Sequence, residues 1–169
     1  MKKRREIALD PGHNRLALGV ADGPKLIEYN VRFGDPECEA IMPRIEGDFA
    51  ALLHQVATGS PFAAPGLSDE TTMTVIMAAK GYPGTAAKGG AIRGLDAAEQ
   101  VSGSIVFQAG TATADDRLVA SGGRVLAVTA RGRSLGEARD RAYQAIDVID
   151  FADGFYRRDI GWRELERTA

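Results

Sequence analysis

The sequence predicts an α+β protein in which a small mixed domain with a mainly antiparallel sheet follows a short strand-and-helix part. Three observations lead to this prediction. Apolar residues alternate over short stretches in both parts, as they do in half-buried strands. Two other stretches repeat apolar residues at spacings of three and four, the period of an amphipathic helix. A stretch rich in Gly, Pro and Ser at 59–70 separates the two parts.

The N-terminal part is predicted to form a β-hairpin. The first 20 residues read as irregular, with a turn at Asp10-Pro11-Gly12, apart from a short alternation that ends at Val20. Ala21-Asp22-Gly23-Pro24 has the composition of a tight turn, and a strand is predicted from Lys25 to Phe33.

A helix is predicted over residues 39–57. Its apolar positions fall on one stripe: Ile41, Ile45, Phe49, Leu52, Leu53 and Val56. Pro43 would lie in the first turn, where its missing N–H does no harm, and Gly59 would end the helix.

The C-terminal part is predicted to contain strands at 72–80 and 104–112, a glycine-rich loop between them, and one or two helical turns at 95–101. The segments on either side of Gly122-Gly123 read as a hairpin. Ser134 and Glu137 have the spacing of a capping box, so a helix should begin there and run to about Ile149. Its inward positions are Leu135, Ala138, Ala142, Ala145, Ile146 and Ile149.

Composition excludes several kinds of function. A net charge of −2 and a pI near 5.7 give no electrostatic reason to expect nucleic acid or an anionic membrane as partner. No apolar run approaches the roughly 18 residues that span a bilayer. The single cysteine, Cys38, excludes a disulfide within the chain and a cysteine-based zinc site, which fits a reducing cytoplasm.

The predicted strand at 25–33 carries an unusual polar face. Because side chains alternate across a sheet, Glu28, Asn30 and Arg32 share one side. Carboxylate and amide oxygens suit Mg²⁺, and a guanidinium suits phosphate or carboxylate, so the face could serve Mg²⁺-nucleotide chemistry. The alternative, which alternation alone favours, is a solvent-exposed face with ordinary cross-strand ion pairs.

A series of motifs along the chain resembles the phosphoribosylamine–glycine ligases, members of the ATP-grasp superfamily. The motifs lie between residues 21 and 162, in the family's order and at similar spacing. They are LIEYNVRFGDPE, MPRIEGDFAALL, AAKGYPG, GLDAAE, FQAGTA, SGGRVLAVTA and FYRRDIGW.

The resemblance implies a function and a metal site. Glu28 and Asn30 match the family's ligands for Mg²⁺, or Mn²⁺. The family uses ATP as co-substrate to join glycine to 5-phosphoribosylamine, forming glycinamide ribonucleotide in purine biosynthesis. The implied partners are therefore these small molecules in the cytoplasm.

Other site residues are candidates with an open alternative. Arg32 would contact the acyl phosphate or a nucleotide phosphate, or else pair with Asp35 or Glu37. Asp35 would approach the amine substrate, or only form a turn before Pro36. Arg157 and Arg158 would bind the ribose phosphate, or else form surface ion pairs, for instance with Asp159. The loop GYPGTAAKGG would cradle phosphate, or owe its composition to shape alone.

The resemblance also implies missing parts, because the family's enzymes are far longer and hold ATP in a part that precedes the strand with Glu28. We therefore expect a C-terminal ligase portion that is inactive alone, with a separate chain as the candidate carrier of the ATP-binding half. The alternatives are a non-catalytic Mg-phosphate-binding module and an inert remnant of a truncated gene. The predicted limits are an unrelated leader at 1–20, the end of an ATP-grasp domain at 21–60, a linker at 61–70, a C-terminal ligase domain at 71–162 and a tail at 163–169.

Overall fold

The computed structural model describes the backbone of residues 6–9, 15–20, 23–29 and 32–168, and the side chains of residues 32–167. Contacts group the chain into two compact units, Met1–Glu37 and Cys38–Ala169. The domain limits predicted from the sequence stay predictions.

The first unit contains a three-stranded antiparallel sheet of β1 (Glu6–Leu9), β2 (Arg15–Val20) and β3 (Gly23–Tyr29), in that order. Val20 pairs with Gly23, which confirms the predicted hairpin. The expectation that the first 20 residues are irregular is wrong for β1, whereas β2 confirms the short strand indicated by the alternation that ends at Val20. The turn predicted at Asp10-Pro11-Gly12 lies outside the described residues.

The strand predicted to run to Phe33 ends earlier in the structure. β3 stops at Tyr29, and Arg32 lies in a bend that leads into a turn at Asp35-Pro36. Phe33, at the predicted end of the strand, is 59% exposed. The strand has therefore ended before the chain reaches Gly34-Asp35-Pro36, so the predicted breaker is not what terminates it.

The single helix predicted at 39–57 is wrong. The structure has α1 (Glu37–Ile41), a 3-10 turn (Met42–Arg44), β4 (Ile45–Glu46) and α2 (Phe49–Thr58). Gly47 interrupts the helical pattern because its φ of +92° is left-handed, a conformation that glycine adopts without strain. Asp48 then caps α2, its carboxylate accepting from the Ala51 N–H at 2.9 Å.

The end of α2 is as predicted. Gly59 is left-handed at φ +68°, and its N–H donates to carbonyls of the last turn. The segment after it folds back, because β5 (Gly66–Leu67) pairs with β4 and the Arg44 guanidinium donates to the Ser68 carbonyl at 2.9 and 3.2 Å.

The rest of the second unit forms a four-stranded antiparallel sheet with helices, which confirms the α+β prediction. The elements are, in chain order, β6 (Thr71–Ala79), α3 (Leu95–Glu99), β7 (Ser104–Gln108), β8 (Thr111–Ala114), β9 (Arg117–Ala120), β10 (Arg124–Gly132), α4 (Leu135–Asp147), β11 (Gly154–Phe155) and α5 (Trp162–Thr168). The sheet order is β11-β6-β10-β7, and every neighbouring pair is antiparallel.

The core lies between this sheet and α4. The helix contributes small side chains and one larger aliphatic one, so it approaches β6 and β10 closely. Buried residues of the core include Val75, Leu126, Val128, Ala138, Ala142, Ala145 and Ile146. Four of the predicted inward positions of α4 are buried within the helix, and the structure adds Tyr143. Leu135 is partly buried against the core, and Ile149 is buried just beyond the end of the helix. The cap is also confirmed, with the Ser134 hydroxyl accepting from the Glu137 N–H at 3.2 Å.

The opposite face of the sheet is anchored to α1 by threonine hydroxyls. Thr129 lies between Val128 and Ala130, so it points away from α4. Its hydroxyl is fully buried, donates to the Glu39 carbonyl at 3.0 Å and shares a 2.7 Å hydrogen bond with the Thr74 hydroxyl. Thr72 donates in the same way to the Ala40 carbonyl at 2.7 Å.

The hairpin predicted around Gly122-Gly123 is wrong. β9 pairs with β8 instead, across a two-residue turn in which Asp115 and Asp116 have φ of 48° and 56°. Aspartate tolerates this conformation, which type I′ hairpin turns require. β10 pairs with β6 and β7, so the glycines join two different sheets.

Candidate functional site

Only part of the predicted metal site is described. Glu28 belongs to β3, and its backbone pairs with Leu16 of β2. The side chain of Glu28 and the whole of Asn30 lie outside the described residues, so the ligand set stays a prediction. Among the side chains that the structure does describe, no three of His, Cys, Asp or Glu come together in a way that could hold a metal ion.

Arg32 and Asp35 lie on the exposed segment that follows β3. The Arg32 guanidinium donates from Nη1 to the Phe33 carbonyl at 3.2 Å. Asp35 is exposed and lies in the turn with Pro36. The roles predicted for these two side chains toward phosphate and amine stay predictions.

Arg157 forms an ion pair with Asp159, which the sequence offered as the alternative to phosphate binding. Its Nε and Nη2 donate to the two carboxylate oxygens of Asp159, at 2.9 and 2.6 Å. This bidentate pair holds the pKa of Asp159 below its usual value, chiefly through the hydrogen bond from Arg157. The Arg157 carbonyl accepts from the Tyr143 hydroxyl at 2.7 Å, which ties the segment after β11 to α4.

Arg158 is held by one carboxylate and two aromatic rings. It donates to Asp147, and its guanidinium lies 5.0 Å from the ring centroid of Tyr156 and 5.8 Å from that of Tyr143. The hydrogen bond from Arg158 lowers the pKa of Asp147, and a second one from the Tyr156 hydroxyl acts in the same direction. Burial, followed by the hydrogen bond to Asp147, raises the pKa of Tyr156.

The groove around these side chains was not predicted, although the sequence carried a signal for it. It has a volume of about 460 Å³ and lies along α4 beside Arg158. Arg139, Tyr143 and Asp147 follow one another at four-residue spacing, so they lie on one face of the helix. The two arginines that line the groove are each paired, Arg139 with Asp140 and Arg158 with Asp147.

The glycine-rich loop after β6 is held by backbone hydrogen bonds. The Ala87 N–H donates to the Lys80 carbonyl, and the Gly89 N–H donates to the Ala120 carbonyl, both at 2.8 Å. Gly123 lets the ring of Tyr82 pack against the backbone, because a Cβ there would lie 2.4 Å from a ring carbon. These contacts hold the loop in position, and its predicted binding of phosphate stays a prediction.

Comparison with known proteins identifies the family. The family model "Phosphoribosylglycinamide synthetase, C domain" matches residues 72–163, more than half of the chain. The chain belongs to this family. The match covers β6 to the first residues of α5, which includes the sheet, α4, Arg157 and the groove beside Arg158.

Similar whole proteins are phosphoribosylamine–glycine ligases, which confirms the resemblance. The ligase of Brucella melitensis is 49% identical over 149 residues, 88% of this chain and 35% of the relative. That of Phenylobacterium zucineum is 55% identical over 153 residues, 89% of this chain and 36% of the relative. The crystal structure of the Thermotoga maritima ligase matches with a TM-score of 0.73 at 32% identity, covering 86% of this chain and 35% of that one.

The phosphoribosylglycinamide synthetase family match thus concerns part of a larger enzyme. The chain spans about a third of the length of the curated relatives it matches. No helix in the described part of the chain is long and apolar enough to cross a membrane.

Proposed function

We propose that this chain supplies the C domain and the metal-binding strand of an ATP-dependent carbon–nitrogen ligase, phosphoribosylamine–glycine ligase. The observation that carries the proposal is the family match over residues 72–163, supported by 49–55% identity to such ligases in the relatives above. The site of action would be a reducing cytoplasm, as the single cysteine suggests.

The reaction consists of two transfers. A carboxylate oxygen of glycine bonds to the γ-phosphorus of ATP, the bond to the bridging oxygen breaks, and ADP leaves. The amine nitrogen of 5-phosphoribosylamine then attacks the acyl carbon, inorganic phosphate leaves, and the nitrogen loses a proton, giving glycinamide ribonucleotide. Both nucleophiles come from the substrates, so the reaction does not require Cys38 or any other nucleophile from the protein.

Glu28 and Asn30 would hold the divalent cation, because their oxygens form the hard donor set that Mg²⁺ or Mn²⁺ prefers. When bound, the ion neutralises charge on the transferred phosphoryl group. Arg32 and Asp35 would lie beside it on the same segment and contact phosphate and amine. Arg157 or Arg158 would bind the ribose phosphate, at the expense of an ion pair with Asp159 or Asp147.

The chain alone is expected not to complete the reaction, because it spans about a third of the relatives' length. ADP release is the measurement, with glycine and 5-phosphoribosylamine each omitted in turn. We expect no release above background that depends on both substrates. Release that requires both would show that the chain contains a complete site, contrary to the proposal.

Calorimetry with Mg-ADP separates binding from catalysis. We expect weak heat of binding in the unaltered chain and none in Glu28→Ala, because the carboxylate is a proposed metal ligand. Glu37→Ala removes an exposed glutamate a few residues further on and serves as the matched control. Equal heats in all three proteins would rule out Glu28 as a ligand, and no heat in any of them would favour an inert remnant.

A further inference from the structure

The two neighbouring arginines after β11 differ in how firmly they are held. Arg157 pairs with Asp159, two residues further along the chain. This pair is open to solvent, because 67% of the Arg157 side chain and 55% of the Asp159 side chain are exposed. Exposed ion pairs contribute little net stability, so a dianionic phosphate can replace the Asp159 carboxylate at small cost.

Arg158 is fixed by several contacts at once. Its guanidinium donates to both carboxylate oxygens of Asp147 and to the Tyr156 hydroxyl. The same group lies over the rings of Tyr143 and Tyr156, and the Tyr156 hydroxyl donates to Asp147. A ligand that drew Arg158 away would break these contacts together and leave the Asp147 carboxylate without its cation. Arg158 therefore anchors the segment to α4.

The hydroxyl of Tyr143 fixes the backbone that carries Arg157. It donates to the Arg157 carbonyl at 2.7 Å and accepts from the Ile160 N–H at 3.3 Å. These two bonds close the turn that contains Asp159. The tyrosine is itself held in place, because it is only 8% exposed and the Arg139 guanidinium lies 5.5 Å from its ring centroid. One buried hydroxyl of α4, acting as donor and acceptor, thus sets the position of the Arg157 side chain.

We propose that Tyr143 is a positioning residue for the phosphate site. It fixes Arg157, which exchanges Asp159 for the ribose phosphate of the substrate. Arg158 stays bound to Asp147 and keeps the segment on α4. The inference rests on the proposed function, which allows either arginine as the phosphate ligand. In the chain without substrate, Asp159 keeps the Arg157 guanidinium in a bidentate geometry, which is also the geometry that phosphate accepts.

Removing each aspartate in turn tests which arginine binds phosphate. The probe is ribose 5-phosphate, titrated into the isotope-labelled full chain and followed by NMR at the arginine Nε–H signals, with ribose as the ligand that lacks phosphate. Asp159→Asn should tighten binding about fourfold, because phosphate then has no carboxylate to displace from Arg157. Asp147→Asn removes the charge of the other pair and is the matched control, with a Kd expected within about 1.5-fold of the unaltered chain.

Two outcomes of this titration would overturn the proposal. Tighter binding by Asp147→Asn and unchanged binding by Asp159→Asn would assign the phosphate to Arg158. The absence of any response to ribose 5-phosphate in all three proteins, or an equal response to ribose, would exclude Arg157 as a phosphate ligand in this chain.

Two matched tyrosine substitutions test the positioning role. Tyr143→Phe keeps the ring but removes both bonds to the turn, and it should weaken binding of ribose 5-phosphate about fivefold. Tyr156→Phe removes the hydroxyl that contacts Asp147 and Arg158, and it should leave the Kd within about 1.5-fold. Guanidinium chloride denaturation checks that each protein is folded. Equal weakening in the two variants would indicate a general loosening of the segment and refute the positioning role.

These results are distinguishable from a failure of the proposed function. Binding of ribose 5-phosphate is measured without ATP, glycine or a divalent cation, so it does not depend on ADP release or on Glu28. Phosphate binding through Arg158 would contradict the inference and leave the proposed function intact. Heat of binding for Mg-ADP without any response to ribose 5-phosphate would overturn the inference but not the proposed metal site.

Discussion

Replacing Thr129 by valine should weaken the attachment of α1 to the main sheet. The side chain is fully buried, and its hydroxyl joins the Thr74 hydroxyl at 2.7 Å to the Glu39 carbonyl at 3.0 Å. Valine has nearly the same shape but cannot donate or accept. The substitution therefore leaves the Glu39 carbonyl and the Thr74 hydroxyl without the hydrogen bond that each makes to Thr129.

The expected loss is about 2 kcal/mol in the free energy of unfolding. A buried polar group without its hydrogen bond costs about 1–3 kcal/mol. The Glu39 carbonyl should bear most of this cost, because Thr74 is only half-buried and can recruit water. Guanidinium denaturation followed by circular dichroism measures the loss, and the m-value should stay constant because the folded structure buries the same surface.

A double-mutant cycle tests the mechanism. Thr74→Val alone should cost less than about 1 kcal/mol, and the combined variant should cost less than the sum, because Thr74 then has no hydroxyl to leave unpaired. Thr113→Val, on the exposed face of β8, is the control and should stay within about 0.5 kcal/mol of the unaltered chain. A cost for Thr129→Val no larger than that of Thr113→Val would refute the reasoning.

Four further predictions concern the same unit. Ser134→Ala removes the cap of α4 and should cost about 1 kcal/mol in guanidinium denaturation; no change would show that solvent replaces the cap. Gly123→Ala should cost about 1–3 kcal/mol of unfolding free energy, because the added Cβ would lie 2.4 Å from a tyrosine ring. Gly136→Ala has no atom nearer than 3.8 Å to the added Cβ and should stabilise α4 by about 0.5 kcal/mol. Equal effects of the two substitutions would argue against the clash. The hydrogen bond from its arginine partner depresses the folded-state pKa of Asp147 below 3.8, so the stability that this carboxylate contributes is present above that pH and is lost as the pH falls through the folded-state pKa. The difference in unfolding free energy between the unaltered chain and Asp147→Asn should therefore shrink from pH 6 to about pH 2.5. A constant difference would contradict the assignment. Amides of α2 should exchange faster than those of α4, because α2 buries no residue and α4 buries five; equal protection measured by mass spectrometry would contradict this.

Where the sequence prediction failed, local signals were compatible with more than one chain path. Gly122-Gly123 between two apolar stretches resembles a hairpin turn, but Asp115-Asp116 adopts the turn and the glycines serve close packing. The apolar stripe from Ile41 to Val56 has helical spacing, but the chain enters β4 after Arg44, and the left-handed Gly47 then separates β4 from α2. Local spacing does not reveal which neighbouring strand will pair, since pairing depends on contacts distant in sequence.

The sequence by itself determined the family, the antiparallel α+β class, the capped helix α4 and its core-facing side. These features follow from motif order and from a hydrophobic period that burial against one surface enforces. Only the tertiary structure decided that Arg157 and Arg158 are paired with Asp159 and Asp147, and that α2 buries none of its side chains. Ion pairs and uncovered faces depend on which elements meet in space, and helical spacing predicts an apolar stripe without specifying what covers it.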